Sequence, residues 1–168
     1  PQGGRGKRHW RGAPRPSHGM SRLDSFIRRM QAQRDCLNWA AAQVRDVPGP
    51  ILEVGLGNGR TYDHLRGLLP GRDIYVFERE VRAHPDCIPA ADRLFLGDVH
   101  ESVPRAARIL GRSAVLIHSD LGTGDHVANA VLGEWLGGAL DTLLAPGGYV
   151  VANQPLDVAR WIRLPECE

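Results

Sequence analysis

Hydrophobic positions along the chain form short continuous runs that alternate with stretches of helical spacing. The first helical stretch covers about residues 21–45, where apolar residues recur every three or four positions. Ser21 and Asp24 stand where a capping box would begin such a helix. Pro48-Gly49-Pro50 then ends the pattern, so we predict an amphipathic helix followed by a turn.

The apolar runs that follow have the length and continuity of buried strands. We predict strands at 51–54, 74–77, 94–96, 114–117 and 149–151, and helices at about 60–69, 101–110 and 127–143. Residues 79–93 are interrupted by Pro85 and Pro89, so they can hold only short helical pieces. Strands that are continuously apolar and alternate with helices favour a parallel sheet. The predicted fold is therefore α/β, a Rossmann-like, doubly wound and mostly parallel sheet in three α/β/α layers.

The strongest chemical signal is Glu53-Val54-Gly55-Leu56-Gly57-Asn58-Gly59, where the first strand passes into a helix. Glycines allow a sharp turn there and let a ligand lie against the backbone. Arg60 occupies the place of the last glycine in dinucleotide loops, and no Gly-Lys-Ser/Thr follows. Glu53 would repel a pyrophosphate, but it suits a ligand that carries an ammonium group.

A second acidic residue, Glu78, ends the second predicted strand, 19 residues beyond Gly59. A carboxylate at this place can accept hydrogen bonds from both hydroxyls of a ribose. The glycine bend and Glu78 together therefore predict a site for a nucleoside.

These residues resemble the first two motifs of class I S-adenosylmethionine-dependent methyltransferases, and the similarity extends over about residues 21–155. Gly97-Asp98-Val99 is similar to the adenine-binding position of that family, and Ser119-Asp120-Leu121-Gly122 is similar to its acidic motif beside the transferred methyl group. The stretch Leu144-Ala145-Pro146-Gly147-Gly148 is similar to the loop before its fifth strand. The chain also resembles a small bacterial subgroup of these enzymes.

The resemblance implies a methyltransferase that uses S-adenosylmethionine. It implies that the bend surrounds the methionine part, that Asp98 accepts from the adenine amino group, and that the Val99 N–H contacts the ring. The full set of residues expected to contact the cofactor is Glu53, Gly55, Gly57, Asn58, Gly59, Glu78, Asp98, Val99 and Asp120.

Asp120 is the candidate catalytic residue, because it could orient an acceptor or bind the cofactor ammonium. We expect only one of His118 and Asp120 to face the cleft, and His126 to have a structural role. Asn153 and Gln154 follow the fifth strand, where they either face the cleft or form a turn before Pro155. His118, Asn153 and Gln154 are thus candidate substrate residues.

Ala152 precedes Asn153, so the Asp-Asn pair of magnesium-dependent catechol-type methyltransferases is missing and we expect no metal.

Residues 1–19 carry five basic residues and no acid, so with +2 for the whole chain residues 20–168 have a net charge of −3. The Gly, Pro, Arg and Ser content of residues 1–19 predicts a disordered extension, with residues 20–168 forming the methyltransferase domain. We do not expect this extension to bind nucleic acid. No apolar run is long enough to span a membrane, and the three cysteines form no pair, so we expect a cytoplasmic protein.

Only residues 161–164 could supply the C-terminal hairpin that class I methyltransferases place at the sheet edge, so we expect either a shortened hairpin or an incomplete chain. A homodimer could cover the unpaired edge.

Because no substrate domain is inserted, we expect methyl transfer to a small molecule. The alternatives are a non-catalytic or partner-dependent binding module, a nicotinamide-dependent oxidoreductase, which Arg60 and Glu53 disfavour, and an RNA-directed enzyme that uses the basic extension.

Overall fold

The computed structural model describes residues 19–122 and 126–164 of the chain, apart from the side chain of His126. Nearly all of the predicted basic extension, residues 1–18, lies outside the described residues. The described part consists of one five-stranded sheet and the helices that connect its strands.

The sheet is parallel throughout, with the order β3-β2-β1-β4-β5. Its strands are β1 (Ile51–Val54), β2 (Ile74–Glu78), β3 (Leu94–Leu96), β4 (Ala114–Ser119) and β5 (Leu144–Ala152). Strand β1 is central and the chain crosses from β3 to β4, so the crevice beside β1 lies where the strand order reverses. This arrangement confirms the predicted α/β fold.

Four helices cover the sheet: α1 (Arg22–Val44), α2 (Arg60–Leu68), α3 (Val99–Leu110) and α4 (His126–Asp141). Successive side chains of a strand point to opposite faces, so Ile51 packs with α1 and α2 whereas Leu52 packs with α3 and α4. Two 3₁₀ turns, Pro85–Cys87 and Ala91–Arg93, supply the short helical pieces predicted between β2 and β3. Both faces of the sheet are therefore covered, as in a three-layer fold.

Several element boundaries differ from the prediction by one or more residues, and two of these differences have a local structural reason. Helix α3 begins at Val99 rather than at 101, because the Asp98 carboxylate accepts from the His100 N–H and caps it. Strand β5 begins at Leu144, which pairs with Ala114, rather than at 149, so the stretch expected to be the loop before this strand is an irregularity inside it. The capping box of α1 forms as predicted from Ser21 and Asp24.

The segment after β5 contains no strand in its described part, residues 153–164, and it packs against α4. A Cβ added at Gly137 would lie 2.9 Å from a methyl carbon of Val158, so the glycine permits this close approach. The Trp161 indole N–H donates to the Asp141 carboxylate at 2.8 Å, and Arg160 forms an ion pair with the same carboxylate. Asp141 thus anchors the segment to the end of α4.

We predict that Asp141→Ala lowers the free energy of unfolding by about 1–3 kcal/mol at neutral pH, because two donors lose their acceptor. Burial raises the pKa of Asp141, but the hydrogen bonds from Arg160 and Trp161 outweigh it and hold the pKa below its ordinary value. The stabilisation is therefore fully present above the pKa that Asp141 has in the unfolded chain, about 4. It is lost as the pH falls through the lower pKa that Asp141 has in the folded protein. Urea unfolding of the wild type and of Asp141→Ala across this range measures the difference.

The matched control is Glu134→Ala, an exposed change in the same helix, which should leave the stability within about 0.5 kcal/mol. An Asp141→Ala protein as stable as this control would contradict the anchoring role.

Candidate functional site

The bend after β1 is built from three glycines in the left-handed region of backbone conformation. Gly55, Gly57 and Gly59 have φ values of 96°, 52° and 86°, which side chains of L-residues rarely tolerate. Gly59 is also the N-cap residue of α2, which begins at Arg60. The sequence therefore turns the chain sharply out of the central strand and directs the amino end of α2 toward the carboxyl edge of the sheet.

Close packing explains why two of these positions require glycine, whereas the third position has free space around it. A Cβ at Gly59 would overlap the Cβ of Cys87, and one at Gly55 would lie 3.0 Å from the Asp120 carbonyl oxygen. A Cβ at Gly57 would meet nothing within 4 Å, and the residue is exposed. The bend is thus fixed at both ends and presents free backbone surface in the middle.

The Glu78 carboxylate closes the bend from the end of β2. Its Oε2 accepts from the backbone N–H groups of Leu56 and Gly57, both at 2.9 Å. Its Oε1 accepts from the Arg79 N–H at 2.8 Å. Glu78 is half-buried, and each carboxylate oxygen can accept more than one hydrogen bond. Glu78 therefore points toward the bend, as a ribose-binding residue must.

A cavity of about 370 Å³ opens beside this carboxylate, within the range of about 300–1,000 Å³ that small-molecule sites occupy. It is lined by Gly57, Asn58, Glu78, Arg79, Glu80 and Arg82. The exposed Asn58 amide contacts Arg60 at the rim of the bend. The bend and the acid of β2 thus border one common hollow.

The end of β3 lies next to Glu78, because the Gly97 N–H donates to the Glu78 carbonyl at 3.0 Å. Asp98 is exposed, and its Oδ1 accepts from the His100 N–H at 2.9 Å and contacts the His100 ring at 2.8 Å. The hydrogen bonds from the His100 backbone and ring lower the pKa of Asp98, so it is ionised at neutral pH. Val99 opens α3, where the first backbone N–H groups have no partner within the helix.

Glu53 is completely buried below the bend. Its Oε1 accepts from the Thr61 hydroxyl of α2, and its Oε2 lies 2.8 Å from His118 Nδ1. Both oxygens therefore have partners inside the protein. Direct contact between Glu53 and the cofactor ammonium stays a prediction, and the observed partners give this carboxylate a structural role as well.

His118 and Asp120 do not lie on opposite faces at the end of β4, as their expected alternation implied, but on the same side; Asp120 is partly exposed, and that only one of them faces the cleft stays a prediction. Residues i and i+2 of a strand share a face, and both side chains contact the amide nitrogen of Gln33, at 3.2 Å and 3.1 Å respectively. His118 is only 1% exposed. Burial lowers the pKa of His118, but the charge and hydrogen bond of Glu53 and the charge of Asp120 outweigh it and raise the pKa.

The two polar residues after β5 have different surroundings. Asn153 Nδ2 donates to Asp120 Oδ1 at 2.7 Å, and the Asn153 N–H donates to the Ser119 carbonyl. The Gln154 amide is buried next to Gly133 of α4, without a hydrogen-bond partner among the described residues. Asn153 therefore belongs to the edge that carries Asp120, and Gln154 lies against α4. The His126 side chain is outside the described residues.

Gln33 and Thr61 are the members of this site that the sequence analysis missed. Gln33 is a polar residue at a position where the apolar face of α1 continues, between Met30 and Leu37, and that interruption is the one available signal. Thr61 gives no such signal, because a threonine in the first turn of a helix is common.

The parallel sheet, the glycine bend after its central strand and the acid at the end of the next strand define a class I S-adenosylmethionine-dependent methyltransferase. The chain belongs to the family described as S-adenosyl-L-methionine methyltransferase, whose model matches residues 20–168. It is therefore an enzyme that transfers a methyl group from S-adenosylmethionine. The nicotinamide-dependent and non-catalytic alternatives have no support.

A solved structure similar to this chain is the S-adenosyl-L-methionine methyl transferase from Silicibacter pomeroyi DSS-3. The two are 43% identical and superpose with a TM-score of 0.83, over 88% of this chain and 90% of that chain. A comparison with curated proteins returns no match. Among the described residues, no helix has the length and apolar character needed to cross a bilayer.

We predict that Gly59→Ala lowers the free energy of unfolding by about 2–4 kcal/mol, because the new Cβ is strained at positive φ and overlaps Cys87. Gly67→Ala is the matched control, since Gly67 lies in α2 and a Cβ there meets nothing within 4 Å. That change should raise the free energy of unfolding by about 0.5–1 kcal/mol. Thermal or urea unfolding that shifts both variants in the same direction would contradict the close packing at Gly59.

Proposed function

We propose that S-adenosylmethionine binds along the carboxyl edge of the sheet, across β1, β2 and β3, and that the methyl acceptor is a small molecule. Glu78 holds the ribose, Asp98 and the Val99 N–H hold the adenine, and the bend surrounds the methionine part, with Asp120 beside the methyl group. The residues of the bend in this proposal are Glu53, Gly55, Gly57, Asn58 and Gly59.

The observation that carries the proposal is the position of the Glu78 carboxylate, which borders both the open Gly57 backbone and the cavity of about 370 Å³. A carboxylate at the end of β2 suits a pair of hydroxyls, and bare glycine backbone admits a ligand without steric conflict. The carboxylate acceptor and the space beside it therefore fit an adenosyl ligand.

When it is bound, S-adenosylmethionine supplies a methyl group on a sulfonium that is already a good leaving group. The chain then has to orient the reacting groups and exclude water, and such alignment can lower a barrier by as much as about 7–11 kcal/mol. Asp120 suits this task, because the amides of Gln33 and Asn153 each donate to one of its oxygens. We assign it the role of an oriented hydrogen-bond acceptor.

The surface above Asp120 supports an acceptor with an apolar portion. Helix α1 buries Leu37 and Val44 against the sheet, and the same helix face continues to Phe26 and Leu23, which are 43% and 66% exposed. Gln33, which contacts Asp120, stands where the buried half of the face meets the exposed half. The exposed apolar side chain of Phe26 therefore lies about two helical turns, roughly 10 Å, from Gln33 along the same face of α1.

Calorimetry with S-adenosylmethionine tests the cofactor site. We expect Glu78→Gln to weaken binding by about 5- to 150-fold, because the amide can no longer accept from two hydroxyls. Glu134→Gln, an exposed change on α4 that lies outside the lining of this cavity, is the control and should keep the wild-type affinity within about twofold. Unchanged affinity in Glu78→Gln, or binding of NAD without binding of S-adenosylmethionine, would reject the placement.

Transfer of a labelled methyl group tests the class of acceptor. With S-adenosylmethionine labelled in the methyl group, we expect label to enter the low-molecular-weight filtrate of a bacterial extract. Phe26→Ser should slow this transfer while leaving cofactor affinity unchanged, because it removes exposed apolar surface from the face of α1 that leads to Gln33. Gln31→Ser, an exposed change on the same helix, is the control. Label found only in RNA or protein fractions would contradict a small-molecule acceptor.

A further inference from the structure

We propose that Gln33 is a positioning residue for methyl transfer, whose amide ties the buried Glu53–His118 pair to Asp120 and holds the Asp120 carboxylate in one orientation. The effect on catalysis rests on the proposed place of Asp120 beside the methyl group. The network itself does not depend on that placement.

The first step is the direction of the hydrogen bonds that Gln33 makes. Its amide nitrogen lies 3.2 Å from His118 Nε2 and 3.1 Å from Asp120 Oδ2. An amide nitrogen carries two protons and accepts no hydrogen bond, so it donates to both atoms. His118 Nε2 must then be unprotonated, and the ring proton is on Nδ1, which donates to Glu53 Oε2 at 2.8 Å.

The second step is that the amide cannot be turned over while Asp120 is ionised. Turning it would place the carbonyl oxygen of Gln33 against the Asp120 carboxylate, and two acceptors would face each other. The turned orientation suits only a protonated Asp120 together with a proton on His118 Nε2. Gln33 therefore couples an ionised Asp120 to a neutral His118 with its proton on Nδ1.

The third step is the balance of charges around the imidazole. Two carboxylates face the ring, Glu53 from β1 and Asp120 from the end of β4, and both favour a charged imidazolium. Helix α1 contributes the Gln33 amide, which favours the neutral ring because it donates to Nε2. Removal of the amide should therefore raise the pKa of His118 further. Because burial lowers this pKa, loss of packing would raise it too, so the variant that removes the amide has to keep the side-chain volume.

The fourth step links the network to the reaction. Asn153 of the β5 end donates to Oδ1 of Asp120, and Gln33 donates to Oδ2, so the carboxylate is held from two sides. Each oxygen keeps a lone pair for a further donor. Without Gln33, the Asp120 side chain can rotate, and the group that it orients loses alignment with the methyl donor.

The test is nitrogen NMR of protein labelled with ¹⁵N-histidine, without cofactor, with His118→Gln used to assign the ring signals. In the wild type we expect neutral His118 to carry its proton on Nδ1. In Gln33→Met, which keeps the volume and removes the amide, we expect the titration midpoint to rise by about 0.4–1 pH units. Gln33→Glu places a carboxylate next to Nε2 of His118 and should raise the titration midpoint of His118 further. Gln31→Met is the matched exposed control and should change nothing.

Labelled-methyl transfer by the same proteins completes the test, and we expect Gln33→Met to slow the transfer by about two- to tenfold. A wild-type His118 protonated on Nε2, or an unchanged titration in folded Gln33→Met, would overturn the network. If Gln33→Met does not fold, the tautomer of His118 in the wild type alone tests the network. A shifted titration with an unchanged transfer rate would overturn the positioning role. Wild-type protein that binds no S-adenosylmethionine would instead reject the proposed function, whatever the tautomer of His118.

Discussion

The whole site depends on how the chain leaves its central strand. Strand β1 is hydrogen-bonded to β2 on one side and to β4 on the other, so its end is enclosed by neighbouring strands. Only a tight turn through residues with positive φ can lead the chain out over that edge, and glycine adopts this conformation at the lowest cost. Glu78 then fixes the turn, because its Oε2 accepts from two N–H groups of the bend.

A polar network below the bend gives the site its rigidity. Burial of Glu53 and His118 is costly unless each polar atom is paired, and here the ring, the carboxylate and the Thr61 hydroxyl satisfy one another. Gln33 extends the network from the sheet to α1 and ends it at Asp120. The same interactions therefore hold the first helix against the sheet and place an acidic group at the edge where methyl transfer is proposed.

The fold could be predicted from the sequence because each element has a strong local signal, such as the continuous apolar run of β4 or the Ser21–Asp24 capping box. The start of β5 at Leu144 could not be predicted, because it depends on pairing with Ala114 across an irregular stretch. Glu78 and the glycines were found by their spacing. The partners of Glu53 and the role of Gln33 could not be found in this way. Gln33 lies 85 residues from His118 in sequence, and the two side chains come into contact only in the folded protein.

The most direct measurement is a crystal structure of the protein with S-adenosylhomocysteine. The ribose hydroxyls should lie within hydrogen-bond distance of Glu78, the adenine beside Asp98, and the sulfur toward Asp120. A second hollow, of about 310 Å³, lies at the opposite edge of the sheet, between Val44, Val115 and Tyr149. A ligand bound there, or anywhere out of reach of the Glu78 carboxylate, would contradict the site described for this enzyme.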